Sequence, residues 1–160
     1  NNLTPQQKGF EFEKIFYQIA ELEEIEYKKP FRILESMEQI DGSLKIENNN
    51  YLIELKLTKD EVNFSTLSAF YGKLSTKGCY PRGIFLSMEG FTDGALLNNF
   101  SSIYKNIILM DSNDFMNILE GRIKLNELII NKVEHFQTKG YFYYDPVNNI
   151  NKCTFNLTNK

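Results

Sequence analysis

Apolar and polar residues follow two different periods in the first third of the chain. Near the start, apolar residues recur three or four positions apart, which is the spacing of one buried helix face. The residues at this spacing are Phe12, Ile15, Phe16, Ile19 and Leu22. Thr4-Pro5-Gln6-Gln7 supplies a cap and a capping box, so we predict a first helix that begins here and ends before Pro30, with the glutamates of positions 21–26 in solvent.

Further on, the pattern changes to the alternation of a β-hairpin, interrupted by the asparagines at positions 48–50. A loop over Glu47–Asn50 would pair Ile46 with Tyr51 and give one apolar and one polar face. The apolar face carries Ile40, Gly42, Leu44 and Ile46 with Tyr51, Ile53, Leu55 and Leu57. The polar face carries Gln39, Asp41, Ser43 and Lys45 with Leu52, Glu54 and Lys56. This register predicts Asp41 opposite Lys56 and diagonal to Glu54.

The rest of the chain reads as alternating helices and buried strands. The predicted helices are 63–77 (capped by Asn63 or Ser65), 92–99, 112–120 and 125–136. The further predicted strands are 31–35, 83–88, 106–110, 141–145 and 152–157. This order predicts an α/β fold with a mixed central sheet flanked by helices, antiparallel in its first strands and parallel where helices link them. We predict a main domain over residues 1–130 and a C-terminal helix and β extension over 131–160, packed on the same domain or leading to another.

Composition and charge are those of a soluble globular domain. The chain has 160 residues, with 18 Lys and Arg, 21 Asp and Glu, and a formal net charge of −3. A net negative charge gives no general attraction to polyanions, so contact with nucleic acid needs a local basic patch or another domain. No apolar run approaches the ~18 residues of a membrane span, so we expect no membrane contact. Cys79 and Cys153 are isolated and read as reduced thiols, so we expect a cytoplasmic protein. The first residue is Asn1, which is consistent with a fragment of a longer protein.

Asp41, Glu54 and Lys56 are charged residues in the middle of otherwise apolar strands, where an unpaired charge is unfavourable. Two carboxylates at close range need a neutralising cation, and oxygen ligands suit a hard divalent ion such as Mg²⁺, with Mn²⁺ as a substitute. Such an ion activates a water and a phosphate, while Lys56 can orient the nucleophile or neutralise charge in the transition state. The alternative is a solvent-exposed Glu54–Lys56 pair on the polar face of an antiparallel sheet.

The spacing of Asp41, twelve residues, then Glu54-Leu55-Lys56, on an αβββαβ order, resembles the PD-(D/E)xK nuclease superfamily. Three segments are similar to its Mrr-like, restriction-endonuclease branch. They are Gly9-Phe10-Glu11-Phe12-Glu13, Gln39-Ile40-Asp41-Gly42 and Phe70-Tyr71-Gly72-Lys73. The resemblance covers about residues 5–120. Ile40 departs from the family pattern, in which proline often precedes the first acid.

The resemblance implies a restriction-endonuclease-like αβββαβ core and an Mg²⁺-dependent deoxyribonuclease. In that pattern Asp41 and Glu54 match the metal-binding acids, and Leu55 is a further metal-binding position. Lys56 matches the catalytic lysine. Glu13 matches an acidic residue that many members carry on the first helix, although helical glutamates also commonly face solvent.

Supporting residues are predicted from their position relative to this site. Gln39 shares the polar face and supports a water or a phosphate, or makes an ordinary strand hydrogen bond. Lys73 and Lys77 lie on the helix after the hairpin, where they approach DNA phosphates or are simply solvated.

Three functions stay open on these residues. The first is a metal-dependent DNA endonuclease domain in restriction or phage defence. We expect it to be a homodimer, because cutting both strands commonly needs two active sites, and to rely on further domains or subunits for recognition. The second is a junction-resolving or repair nuclease of the same fold. The third is a non-catalytic nucleic-acid-binding or oligomerisation module.

Overall fold

The computed structural model describes residues 3–32, 39–40, 42–77, 82–101 and 106–153. Its helices are α1 (Pro5–Leu22), α2 (Phe64–Ser75), α3 (Asp93–Ser101), α4 (Ser112–Leu119) and α5 (Leu125–Lys139). Its strands are β1 (Glu26–Lys28), β2 (Phe31–Arg32), β3 (Gln39–Ile40), β4 (Ser43–Ile46), β5 (Asn49–Lys56), β6 (Arg82–Ser87), β7 (Ile107–Asp111), β8 (Tyr144–Asp145) and β9 (Ile150–Asn151).

A five-stranded mixed sheet in the order β1-β4-β5-β6-β7 forms the centre of the fold. The β1, β4 and β5 strands pair antiparallel, whereas β5, β6 and β7 pair parallel. Helices α2 and α3 make the crossovers that parallel neighbours require. The predicted α/β fold with a mixed sheet flanked by helices is therefore confirmed.

Two apolar cores lie on opposite faces of this sheet. The first packs the sheet against α1, α4 and α5 and contains Phe16, Ile53 and Leu128. The second packs it against α2 and α3 and contains Leu67 and Phe85. The side chains of β5 alternate between the two cores, as the pleat of a strand requires.

The apolar face predicted for the hairpin is confirmed for the described residues that form it. Tyr51, Ile53 and Leu55 are buried in the first core together with Leu44 and Ile46. Residues between them, including Glu54, consequently face α2 and the second core. The prediction is wrong for Leu57, which follows the end of β5 and is exposed. Ile40 belongs to β3, which pairs with β2 and not with β5, and the burial of its side chain lies outside what the structure describes.

The register predicted for this hairpin is wrong by two residues. Ile46 pairs with Asn49 and Ser43 with Leu52, so the turn consists of Glu47 and Asn48 alone. Glu47 takes the left-handed conformation at φ 54°. Asparagine adopts this conformation more readily than glutamate does, so the sequence contains no indication of a two-residue turn at this position. A shift of two residues leaves every side chain on its predicted face because the period of a strand is two. Asp41 itself, predicted opposite Lys56, lies outside the described residues.

The end of the first helix also differs from the prediction. Helix α1 stops at Leu22, and the segment read as its solvated end supplies the edge strand β1. Glu23 is not simply solvated, since its carboxylate accepts hydrogen bonds from the backbone N–H groups of Leu125 (2.7 Å) and Asn126 (3.2 Å). The first turn of α5 is thus capped by the side chain of Glu23, the residue that follows α1, rather than by its own cap residue, Lys124.

The later helices and the strands β6 and β7 lie within a few residues of their predicted positions. The strand predicted over residues 31–35 is described only as β2, which pairs with β3 in a separate two-stranded sheet and not in the central sheet. In the described residues the terminal β pair consists of β8 and β9, joined by a turn over residues 146–149, so its first strand is shorter than predicted. Residues 154–157 of its second predicted strand lie outside the described residues. Helix α5 spans the proposed domain boundary at residue 130, and that division stays a prediction. None of the helices in the described part of the chain is long and apolar enough to cross a membrane.

Gly42 is a position where only glycine fits. Its φ is +133°, and an added Cβ would lie 2.0 Å from Tyr17 Oη and 2.5 Å from the carbonyl oxygen of Lys28. We expect Gly42→Ala to lower the free energy of unfolding by about 2–4 kcal/mol through overpacking and backbone strain, measured by denaturant titration. Gly9→Ala is the matched control because a Cβ there meets nothing within 4 Å, so helix α1 should gain up to about 1 kcal/mol. Equal stabilities of the two variants would contradict this account.

Candidate active site

Glu54 is a buried carboxylate near the carboxyl end of β5. Only 5% of the residue is exposed, although it lies two positions from the end of the strand. Its strand neighbour on β6 is Phe85, which belongs to the second core, so the carboxylate extends over the face that α2 covers. A carboxylate at such a position requires cationic or hydrogen-bonding partners.

Two lysines provide those partners, one for each carboxylate oxygen. Lys56 Nζ lies 2.9 Å from Glu54 Oε1, and Lys73 Nζ lies 2.9 Å from Glu54 Oε2. Lys56 comes from the same face of β5, while Lys73 reaches the carboxylate from the last turn of α2. Both lysine side chains retain some exposure, 34% for Lys56 and 24% for Lys73. These three side chains therefore form a half-open cluster with an excess of one positive charge.

The segment around Asp41 approaches the same strand. The backbone N–H of Ile53, next to Glu54, donates to the carbonyl oxygen of Gly42 at 2.9 Å. Strand β3, which contains Gln39, also contacts β5. Asp41 lies between these two pieces of chain but outside the described residues. Its predicted role stays a prediction.

The described donors fit part of a magnesium site. A carboxylate such as that of Glu54 is a hard oxygen ligand of the kind that Mg²⁺ prefers, and β5 places the buried Leu55 beside it. Within the described ranges, no group of three or more His, Cys, Asp or Glu side chains could hold a metal ion. The second carboxylate is predicted at Asp41, outside the described residues.

Glu13 lies on α1 and lines a cleft whose lining includes none of Glu54, Lys56 and Lys73. It is half-buried, and the cleft, of about 360 Å³, is also lined by Phe10, Tyr17, Tyr27 and Lys29. Helix α1 packs on the face of the sheet opposite to the one that Glu54 faces. Lys77 is half-buried beyond the end of α2, where its Nζ donates to Thr76 Oγ1 at 3.2 Å. The roles predicted for Glu13 and Lys77 stay predictions.

A second charged cluster, which the sequence reading did not anticipate, lies at the carboxyl end of β7. Asp111 Oδ2 accepts from Tyr143 Oη at 2.5 Å and from Lys152 Nζ at 2.7 Å. Burial alone would raise the pKa of Asp111, but the hydrogen bonds from Lys152 and Tyr143 together hold it below its ordinary value. Asp111 also caps α4 reciprocally with Asp114. The cluster thus fastens the C-terminal segment to the sheet.

Lys132 and Asp114 form the buried half of this cluster. Their charged atoms are 2.8 Å apart with side-chain exposures of 1% and 0%. Burial raises the pKa of Asp114 and lowers that of Lys132, and each partner opposes the shift of the other. The burial of Lys132 could have been predicted from its position, because it continues the apolar stripe of α5 one turn after Leu128 and Ile129.

The two clusters lie side by side at the carboxyl ends of the parallel strands. In the parallel register, Lys56 pairs with Ser87, and Ser87 pairs with Asp111. Neighbouring strands are about 4.8 Å apart, so the backbones of Lys56 and Asp111 are separated by about 10 Å. The carboxyl ends of these strands therefore carry a continuous polar row in which Lys56 belongs to the first cluster and Asp111 to the second.

Comparison with solved structures places this fold among known ones. The chain is similar to the crystal structure of AF1548, a protein of unknown function, with a TM-score of 0.58 and 12% identity over 77% of this chain and 75% of that chain. It also matches the MspJI restriction endonuclease in complex with a 27-mer oligonucleotide (TM-score 0.47, 12% identity, 74% of this chain and 28% of that chain). A third match is AspBHI, a DNA modification-dependent restriction endonuclease (TM-score 0.48, 13% identity, 80% of this chain and 35% of that chain).

Comparison of the sequence with families gives the more specific result. No curated protein matches the sequence. Residues 5–119, which run from the start of α1 to the end of α4, match the Mrr_cat model, described as restriction endonuclease. This range includes the Glu54–Lys56–Lys73 cluster. The chain therefore belongs to the Mrr_cat restriction endonuclease family, a family of nucleases, as its motifs predicted.

Proposed function

We propose that the chain is a metal-dependent DNA endonuclease domain that hydrolyses phosphodiester bonds, acting in the cytoplasm in restriction or phage defence. The observation that carries the proposal is the buried Glu54 carboxylate, paired at 2.9 Å with Lys56 on the same strand, within the family-matched range. An exposed surface pair would leave both side chains in solvent, whereas Glu54 is almost completely buried.

Glu54 and Asp41 are the residues that would hold Mg²⁺, with the carbonyl oxygen of Leu55 as a further ligand. When bound there, the ion supplies polarisation of the scissile phosphate and a lowered pKa of a coordinated water. Lys56 lies on the same face of β5 as Glu54. Its ammonium donates to the attacking water or to a phosphate oxygen and neutralises the charge that develops as the water oxygen bonds to phosphorus and the leaving oxygen departs.

The two lysines of this cluster support an anionic substrate. Lys56 and Lys73 are both partly exposed, so each can reach a phosphate of a bound strand. The remainder of the chain is net negative, and this supports recognition by another domain or subunit. Duplex cleavage by a homodimer, each copy cutting one strand, is part of the proposal.

A metal add-back assay on supercoiled plasmid DNA tests the proposal. We expect nicked and linear products with Mg²⁺ or Mn²⁺, none in EDTA, and a loss of about 100-fold or more in rate for Asp41→Asn, because removal of a metal ligand or its charge costs that order of rate. Asp60→Asn is the matched control, since Asp60 is exposed after the end of β5.

Cleavage in EDTA, or an unchanged rate for Asp41→Asn, would contradict the proposal. Parallel assays on single-stranded RNA and on a four-way DNA junction separate the substrate classes. A strong preference for the junction over the plasmid would instead favour a junction-resolving nuclease of the same fold.

A further inference from the structure

Both carboxylate oxygens of Glu54 are paired with a lysine ammonium as the side chains are arranged. Lys56 occupies Oε1 and Lys73 occupies Oε2, each at 2.9 Å. One lysine would suffice to neutralise one carboxylate. The second ammonium lies at an atom that a divalent ion would also bind.

The two lysines differ in how their positions are fixed. Lys56 lies on β5 and is tied to Glu54 by the pleat of the strand. Lys73 approaches across a gap from α2, whose last turn is anchored by the fully buried Leu74. Leu74 packs so closely on β6 that a Cβ added to Gly83 would lie 2.7 Å from Leu74 Cδ1. The backbone of Lys73 is therefore held in place, while its long side chain can rotate from Glu54 towards solvent.

We propose that Lys73 is a positioning residue that acts as an internal counter-ion, occupying Glu54 Oε2 while no divalent cation is bound and competing with that cation for the same oxygen. This inference rests on the proposed metal-dependent function. An ammonium and a divalent cation on one carboxylate oxygen repel each other, so binding of one displaces the other. The displaced Lys73 ammonium is then free to pair with a phosphate of the substrate.

Competition makes a prediction opposite to that of a merely structural role. A residue that only holds Glu54 in shape would weaken metal binding when removed. Removal of a competitor would strengthen metal binding, because the metal ion then no longer has to displace the Lys73–Glu54 ion pair. We expect Lys73→Met to bind Mn²⁺ about 5–20-fold more tightly than the unmodified chain, a change of about 1–2 kcal/mol in binding free energy.

Mn²⁺ affinity is measured by titration calorimetry and by the electron paramagnetic resonance signal of free Mn²⁺, at fixed pH and ionic strength and without DNA. Lys73→Arg keeps the charge and should stay within about twofold of the unmodified chain. Lys59→Met removes an equal charge from an exposed position after β5 and should also stay within about twofold, which excludes a general effect of net charge. Lys73→Gln is a second neutral variant, expected to behave as Lys73→Met does, and it replaces the methionine variant if that chain does not fold.

An unchanged or weaker affinity in both neutral variants overturns the counter-ion role. If the unmodified chain cuts plasmid DNA with Mg²⁺ and that result is obtained, the inference fails while the proposed function stands. If neither the unmodified chain nor the neutral variants bind Mn²⁺, the counter-ion role and the metal-dependent function fail together.

Discussion

Replacing Lys56 by methionine should reduce plasmid cleavage by about 10²–10⁴-fold, the range found when a group that moves protons or stabilises transition-state charge is removed. The ammonium lies 2.9 Å from Glu54 and is one-third exposed, so it can contact both the carboxylate and an incoming phosphate. Methionine keeps the length of the side chain and removes its charge and donors. Mn²⁺ binding should persist, because Lys56 supplies no ligand atom.

Single-turnover rates at saturating Mg²⁺ check this prediction, since they separate the chemical step from substrate release. Lys59→Met, three positions further along the chain and exposed, is the control and should retain the rate within about twofold. A Lys56→Met rate close to that of the control would remove Lys56 from the mechanism. Loss of Mn²⁺ binding together with activity would point to misfolding of the site rather than to a missing catalytic group.

Replacing Lys132 by methionine should lower the free energy of unfolding by about 3–5 kcal/mol, because the variant leaves Asp114 buried without its cation. Lys132 Nζ lies 2.8 Å from Asp114 Oδ2 and also donates to the carbonyl oxygen of Tyr144, with both ionic side chains fully enclosed. Burial already raises the pKa of Asp114, and Lys132 provides the largest opposing influence. Denaturant titration at neutral pH measures the loss.

The double variant Lys132→Met/Asp114→Asn should recover part of this stability, since the neutral amide needs no counter-ion and can still cap α4. Lys139→Met is the control, because Lys139 is exposed in the last turn of the same helix and its loss should matter by less than about 0.5 kcal/mol. The deficit of the single variant should shrink as the pH falls, because protonation removes the unpaired charge of Asp114. A deficit that is small and independent of pH would contradict the role of this ion pair.

The two faces of the sheet could be predicted from the sequence, because the face of a strand residue depends only on whether its position is odd or even. Tyr51, Ile53 and Leu55 alternate with Leu52 and Glu54, and this pattern survives a register error of two residues. The turn could not be located, because Glu47 rather than an asparagine adopts the left-handed conformation. Strand β1 was missed because an edge strand of three residues carries no period that distinguishes it from a helix end.

Part of the candidate site could be predicted for a similar reason. Glu54 and Lys56 lie two positions apart on one strand, so local geometry brings them together. The contact of Lys73 with Glu54 depends on how α2 packs across the sheet, a distance that no spacing in the sequence encodes. The same holds for Lys152 and Asp111, which are separated by 41 positions along the chain.

The buried charges at the end of β7 also matter for anyone who wishes to transplant this nuclease onto another recognition module. Sequence similarity to the family ends at residue 119, before α5 begins. A fusion protein truncated at residue 119 would keep Asp111 and Asp114 but lose Lys132 and Lys152. Both acids would then lack their cations, at the carboxyl ends of the strands where Lys56 also lies. The unit to be transplanted is therefore longer than the family-matched range, and a fusion junction has to follow Lys152.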